Sequence, residues 1–232
     1  YMTALKPADE KATGVARFKD ITVEGCFVYK TSRWGIAVGY TYAHDKFQGA
    51  ELPEDTFLKY GHENMVIRDN YVKAAGGDGI TAMYALRPLV EHNTADSVAC
   101  EINDRIYCRP ENRAGKVAAG IWPWKCKDAL FRCNEVADTR LNQDGMAYDA
   151  DSGDGTIYEY NYRQNEGGCI MFCQSEAIHN SFCHNVSYDD LGGTVSPSEN
   201  PDALLAHNTF YVREGVPFVR NKMGGGTYTE ED

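Results

Sequence analysis

Two acidic segments carry the residue types with which this chain could do chemistry: Asn142-Gln-Asp-Gly-Met-Ala-Tyr-Asp-Ala-Asp151 and Asn165-Glu-Gly-Gly168. Asp144 and Glu166 lie 22 residues apart, close to one turn of an internal repeat. On neighbouring turns their backbones would be spaced like paired strands, about 4.8 Å. Two carboxyls roughly 5 Å apart suit glycoside hydrolysis. One, as the acid, protonates the leaving oxygen, while the other attacks the anomeric carbon or activates water. Mutual repulsion raises one of the two pKa values, which divides the labour. Asp149 and Asp151 compete with Asp144 for the nucleophile's role. The competing structural reading is that Asp-Gly and Glu-Gly-Gly are ordinary turn sequences.

Aromatic residues cluster around the same repeats: Trp122, Trp124, Tyr148 and Phe172. Flat aromatic faces stack on sugar rings, so acids flanked by aromatics suit a carbohydrate site. Trp122 and Trp124 are two residues apart and share a strand face, which is outward if Ile121 points inward. Arg163 could bind a substrate carboxylate or pair with Glu166. The stretch Asp149-Ala-Asp-Ser-Gly-Asp154-Gly misses the EF-hand spacing. Asp151 and Asp154 are the candidates for a looser calcium site, against a solvated acidic turn. No cofactor is required by this chemistry, and calcium is the metal such a loop would admit. His92, His184 and His207 each precede a repeat asparagine and are expected to be satisfied core groups.

The elements that must position these residues announce themselves as a repeat. Six segments end on an asparagine: Val66–Asn70, Leu89–Asn93, Leu130–Asn134, Ile157–Asn161, Ser181–Asn185 and Leu204–Asn208. Thr22–Cys26 fits the same frame, and the intervals are 44, 23, 41, 27, 24 and 23 residues. Such periods mark a solenoid. Three residues before each ladder position stand Val23, Ile67, Val90, Phe131, Tyr158, Phe182 and Leu205, all apolar or aromatic. The next residue is mostly charged, so the period is that of a strand with one buried face. Asparagine is expected at the bend because it tolerates left-handed backbone, and stacked amides can bond from coil to coil. A second element opens with glycine at Gly35, Gly79, Gly120, Gly145 and Gly168. Polar stretches 42–63 and 103–116 read as loop insertions, the usual place for binding.

The expected fold is therefore all-β: a single-stranded right-handed parallel β-helix solenoid, one domain over 1–232, read as a piece of a longer solenoid. The net charge of −11, from 34 acidic and 23 basic residues, argues against nucleic acid as a partner. No run of 18 apolar residues occurs, so no membrane insertion is expected. Eight cysteines form no CxxC pair and no zinc-like spacing. Cys133, Cys169, Cys173 and Cys183 are expected to be small apolar groups stacked in the core.

The repeated apolar-x-x-Asn and Gly-Ile patterns resemble the right-handed parallel β-helix, or pectate-lyase-like, superfamily over nearly the whole chain. The stretch from Ala118 to Asp190 is most similar to β-helix proteins of polysaccharide-degrading bacteria. Asn142-Gln-Asp144-Gly145 resembles the Asn-Thr-Asp-Gly element of polygalacturonase-type hydrolases, which bears a catalytic aspartate. Asn165-Glu166 stands where that family has paired aspartates, and its Gly-His and Arg-Ile-Lys elements are missing. The resemblance implies a secreted glycoside hydrolase acting on a plant or microbial polysaccharide or oligosaccharide. Two other classes share the fold. A polysaccharide lyase would use Lys125, Arg140, Arg163 or Tyr148 with calcium, and a non-catalytic glycan-binding β-helix would use the tryptophans alone.

Overall fold

The apolar column three residues ahead of each ladder position forms one inner wall of a stack of coils. A computed structural model describes residues 1–101, 118–140, 145–167, 170–171, 177–196 and 202–219. Among these the strands form three parallel sheets that wind as a β-helix. Sheet I holds Lys19–Glu24, His62–Arg68, Leu89–Glu91, Leu130–Arg132, Ile157–Glu159, Ser181–Cys183 and Leu204–Ala206, with Ala85–Leu86 pairing the start of His62–Arg68. Sheet II follows each ladder bend with Phe27–Tyr29, Tyr71–Lys73, Thr94–Asp96, Glu135–Ala137, Tyr162–Gln164, Val186–Tyr188 and Thr209–Tyr211. Sheet III holds Met2–Ala4, Ile36–Thr41, Ile80–Met83 and Ile121–Trp124, and Ile170–Met171 pairs Val195–Ser196 in later coils.

Alternation sets what lies inside. Ile67, Val90, Phe131, Tyr158 and Phe182 are fully buried on sheet I, and they face Val72, Ala95 and Val136 of sheet II. Phe131 and Tyr158 rings meet at 4.9 Å, tilted by 42°, and Tyr158 also meets Tyr148 at 5.2 Å. Burial of such side chains gives roughly 1.5–3 kcal/mol each, which is the main drive for coiling. Gly120 sits where sheets II and III close upon each other. A Cβ there would come 2.4 Å from Val136 Cγ1 and 2.6 Å from the Ala147 carbonyl oxygen.

The asparagines form a continuous hydrogen-bonded column. Asn134 Oδ1 accepts the backbone N–H of Asn93 at 3.0 Å and its Nδ2–H at 3.0 Å. Asn134 Nδ2 donates to the Val90 carbonyl oxygen at 2.9 Å. The same pattern repeats at Asn70, Asn161 and Asn185. One expectation is corrected here. The left-handed residue is the one before the asparagine: Asp69, His92, Cys133, Tyr160, His184 and His207 have φ between 53° and 58°. Asparagine is selected for its amide, which satisfies buried backbone groups on two coils.

That left-handed residue turns its side chain outward, so His92, His184 and His207 are exposed and are not core groups. Tyr160, His184 and His207 instead stack outside, with centroids 5.2 and 5.0 Å apart. Cys133 is exposed for the same reason and Cys183 is half-buried, while Cys126 is the one buried thiol among the described residues. Cys169 and Cys173 lie outside the described residues.

The first insertion returns to sheet I at His62 and carries a 3-10 turn, His44–Lys46, and a helix, Glu54–Tyr60. Phe47, Leu52 and Phe57 pack with Met83, Tyr84 and Leu86 against one end of sheet III. The second insertion lies outside the described residues. Among the described residues no helix is long and apolar enough to cross a membrane.

Candidate functional site

The outer face of sheet III brings aromatic and acidic side chains into register. Ile121 pairs with Ile80, Trp122 with Thr81 and Trp124 with Met83. On the other side Ala119 bridges Met146, and the Ile121 N–H donates to the Ala147 carbonyl. The offset is 27 residues, the same as from Asn134 to Asn161. Asp149 therefore lies beside Trp122, and Asp151 is the equivalent of Trp124. Tyr148 and Ala150, the residues alternating with them, are buried in the core, so both aspartates alternate outward. Asp149 is largely buried and Asp151 is half-buried, its Oδ1 accepting the Ser152 hydroxyl at 2.7 Å.

This register revises the one read from glycines. Gly35, Gly79 and Gly120 do stack, but Ala147 takes that place in the next coil, and Gly145 falls two residues earlier beside Ala118. A shift of two preserves which face a residue occupies, so Asp149 stays outward while its neighbour is Trp122 instead of Trp124. Asp144 and Phe172 lie outside the described residues.

Glu166 does not stand beside the outer acids. The pairing of Gln164 with Ala137 and Tyr188 places it between Thr139 and Asp190. It is fully buried, with Oε2 accepting the Thr139 N–H at 3.1 Å, while its own N–H donates to Asp190 Oδ1 at 3.0 Å. Burial, and then the Asp190 charge, hold its carboxyl well above the usual carboxylate range. A 22-residue spacing falls short of one coil, which takes 27 residues between Thr139 and Glu166. Glu166 is thus an interior group.

Arg163 and Tyr148 are also interior. Arg163 occupies the inward column of Val72, Ala95 and Val136, and its guanidinium is 0% exposed. It contacts Asp190 Oδ2 at 2.8 Å and donates to Ser187 Oγ at 3.0 Å and the Thr194 carbonyl at 2.7 Å. Tyr148 is fully buried, its hydroxyl 3.0 Å from the Asn134 carbonyl and 2.8 Å from that of Tyr162. Neither can meet a ligand on the outer face.

Both tryptophans remain on that face, each with its indole N–H held. Trp122 Nε1 donates to Asp78 Oδ1 at 2.9 Å, and Trp124 Nε1 to the Tyr84 hydroxyl at 2.9 Å. Their rings lie 5.9 Å apart at 80°, forming a right-angled notch. The first insertion accounts for part of the burial of Trp124, which packs against the Phe47–Phe57 cluster. Lys125 reaches the same loop, donating to the Gly49 carbonyl at 3.3 Å.

Asp78 and Tyr84 were not singled out from the sequence. Burial pushes Asp78 up to about 6, opposed by the Ala119 N–H, the Arg33 charge and Trp122. Burial likewise pushes Tyr84 up to about 12, so it stays a neutral phenol. The available signal was position: Asp78 immediately precedes the stacked Gly79, as Trp34 precedes Gly35.

Asp154 is committed elsewhere. It pairs with Lys127 at 2.5 Å and His179 Nδ1 at 3.0 Å, and those bonds draw its pKa down against the effect of burial. Among the described residues no group of three metal-ligating side chains converges.

No family model matches the chain. The crystal structure of GH136 lacto-N-biosidase from Eubacterium ramulus matches it with a TM-score of 0.90 and 63% identity over 97% of the chain, in the selenomethionine derivative. This chain is similar to GH136 lacto-N-biosidases. The native form of the same protein matches with a TM-score of 0.90 and 62% identity over 99% of the chain. A lacto-N-biosidase of Bifidobacterium longum subsp. longum is 43% identical over 208 residues, 85% of the chain. The chain spans 36–37% of the Eubacterium structure and 13% of the Bifidobacterium protein.

These relatives correct the sequence-based resemblance. They are lacto-N-biosidases and not pectate-lyase-like enzymes, so the polygalacturonase analogy drawn from Asn142–Gly145 falls. An asparagine ladder and Gly-Ile turns are demanded by stacking itself, and so cannot distinguish one β-helix family from another. The parallel β-helix stands, whereas a plant polysaccharide as substrate has no support in these relatives.

Proposed function

We propose that this chain contributes the catalytic face of a glycoside hydrolase of the lacto-N-biosidase kind, acting on oligosaccharides. The observation that carries the reading is the register of sheet III, with Asp149 beside Trp122 and Asp151 beside Trp124. Identity of 63% to a GH136 lacto-N-biosidase over nearly all of the chain supports it. The notch of two perpendicular indoles gives a sugar ring one face to stack on and one edge to abut. The segment 144–151 supplies the carboxyls. One protonates the glycosidic oxygen as the bond to the anomeric carbon breaks, and the other stabilises or attacks that carbon or draws a proton from water. Water restores both groups, and no metal or other cofactor enters the balance.

A lyase reading is weakened, because Arg163 is sealed in the core, Lys125 is bound to the loop, and Arg140 is engaged by the Asn165 carbonyl and Asp138. The test is hydrolysis of a chromogenic aryl lacto-N-bioside by the intact protein and its Asp149→Asn and Asp151→Asn variants. A loss in kcat of about 10²–10⁴ is expected in at least one, at unchanged near-ultraviolet dichroism. Full activity in both would sink the assignment. Asp144→Asn serves as the third arm. Its loss together with retention in Asp149→Asn would make Asp144 and Asp151 the pair.

A further inference from the structure

Asp78 is a carboxylate buried beneath the outer face, two coils from Asp149 and with no part in the chemistry described. Its Oδ1 alone accepts two hydrogen bonds, from the Ala119 N–H at 3.0 Å and from Trp122 Nε1 at 2.9 Å. The first bond joins it to the next coil's backbone, and the second crosses to the side chain that lies beside Asp149. An indole on a strand surface has two side-chain torsions to fix, and its N–H is the one polar handle by which it can be held. Trp122 packs against Ala119 and Met146, contacts that limit its position but have no directional preference. A buried acceptor tied to the next coil's backbone supplies that direction, since a hydrogen bond weakens steeply once it is bent.

We propose that Asp78 is a positioning residue that fixes the Trp122 ring as a stacking platform and so sets the affinity for the sugar held at Asp149 and Asp151. The inference rests on the hydrolase reading only for the identity of the sugar. The hydrogen-bonded link between Asp78 and Trp122 exists whatever the ligand. Two consequences separate positioning from plain support of the fold. Because Oδ1 makes both bonds, asparagine can keep both and lose only the charge. Alanine loses both, and serine stays polar but places its hydroxyl one bond short of the Oδ1 position that both donors share.

The experiment compares the intact protein with Asp78→Asn, Asp78→Ser, Asp78→Ala and Trp122→Phe. It measures kcat and KM on the aryl lacto-N-bioside, Kd for the free disaccharide, and near-ultraviolet dichroism. Asp78→Ser and Asp78→Ala are expected to raise KM and Kd about tenfold with kcat changed less than threefold, and to alter a tryptophan band that Trp122→Phe abolishes. Asp78→Asn is expected to restore KM and Kd to within about threefold of wild type. Serine keeps the comparison alive if the alanine variant does not fold. Wild-type KM and Kd in the serine variant, or asparagine as damaging as serine, would overturn the proposal. A fall in kcat alone would overturn it too. Binding of the disaccharide without turnover by the wild type would remove the hydrolase reading while the Kd series still judged Asp78. Neither binding nor turnover would remove both.

Discussion

At one corner of the coils from Asn70 to Asn208 an asparagine amide accepts the backbone N–H of the coil before it, and at another corner of two successive coils a carboxylate does the same. Asn161 Oδ1 takes the Asn134 N–H at 2.9 Å, while Glu166 Oε2 takes that of Thr139 and Asp190 Oδ1 that of Glu166. The amide also donates, to the Phe131 carbonyl at 2.9 Å, so one asparagine hands the pattern to the next at no cost in charge. A carboxylate donates nothing once ionised, and two of them in a dry corner repel. The second row therefore recruits a guanidinium into a column that holds valine and alanine in the preceding coils, and one carboxyl has its proton affinity raised. The same geometric task is self-propagating with amides and self-limiting with acids.

The largest expected effect breaks the acid row. Arg163→Met leaves Asp190 buried without its cation and should cost about 3–5 kcal/mol of unfolding free energy at pH 7, read from denaturant midpoints. A loss below about 1 kcal/mol would mean the guanidinium is not what sustains the row. The amide row should break less severely. Asn134→Ala deprives Asn93 of its acceptor and the Val90 carbonyl of its donor, at about 2–3 kcal/mol by the same assay.

The difference in charge is sharpened by pH. The folded pKa of Glu166 lies above its unfolded value, so the native state binds the proton more tightly. Stability linked to this group is then greatest at or below the ordinary glutamate pKa of about 4.3, and falls as pH rises toward the folded pKa. Glu166→Gln keeps an acceptor for Thr139 and cannot ionise. Its melting temperature should exceed that of wild type increasingly as pH rises from 5 to 8, and an unchanged difference would count against a protonated Glu166. The smallest effect belongs to Asn208, which is half-buried on the last described coil of sheet I. Asn208→Ala should cost about 1 kcal/mol.

Much of this was legible in the chain because stacking imposes period and parity. The column from Val23 to Leu205 declared the inner wall, and Trp122 with Trp124 declared an outer one. Arg163 was legible in principle: counting two residues past each ladder position gives Val28, Val72, Ala95, Val136, Arg163, Ser187 and Phe210, an inward column. The register within an individual coil was not legible. Between Asn134 and Asn161 the ladder interval is 27 residues against 24 for the next, Ala147 takes the place of the stacked glycine, and no local preference in the sequence marks that exchange. That hid the partner of Asp149 and misplaced Glu166. Asp78 escaped because its significance comes from an indole 44 residues away.

The residue that turns left-handed before each asparagine also creates a rack. Gly25, Asp69, His92, Cys133, Tyr160, His184 and His207 occupy it in successive coils, and this diversity shows that the site dictates backbone shape and leaves the side chain to choice. Their anchors are spaced like strands, about 4.8 Å apart along a straight line. A thiol already stands there at Cys133. Chromophores or cross-linkers attached along this rack would report, as a molecular ruler, any stretching or shearing between coils.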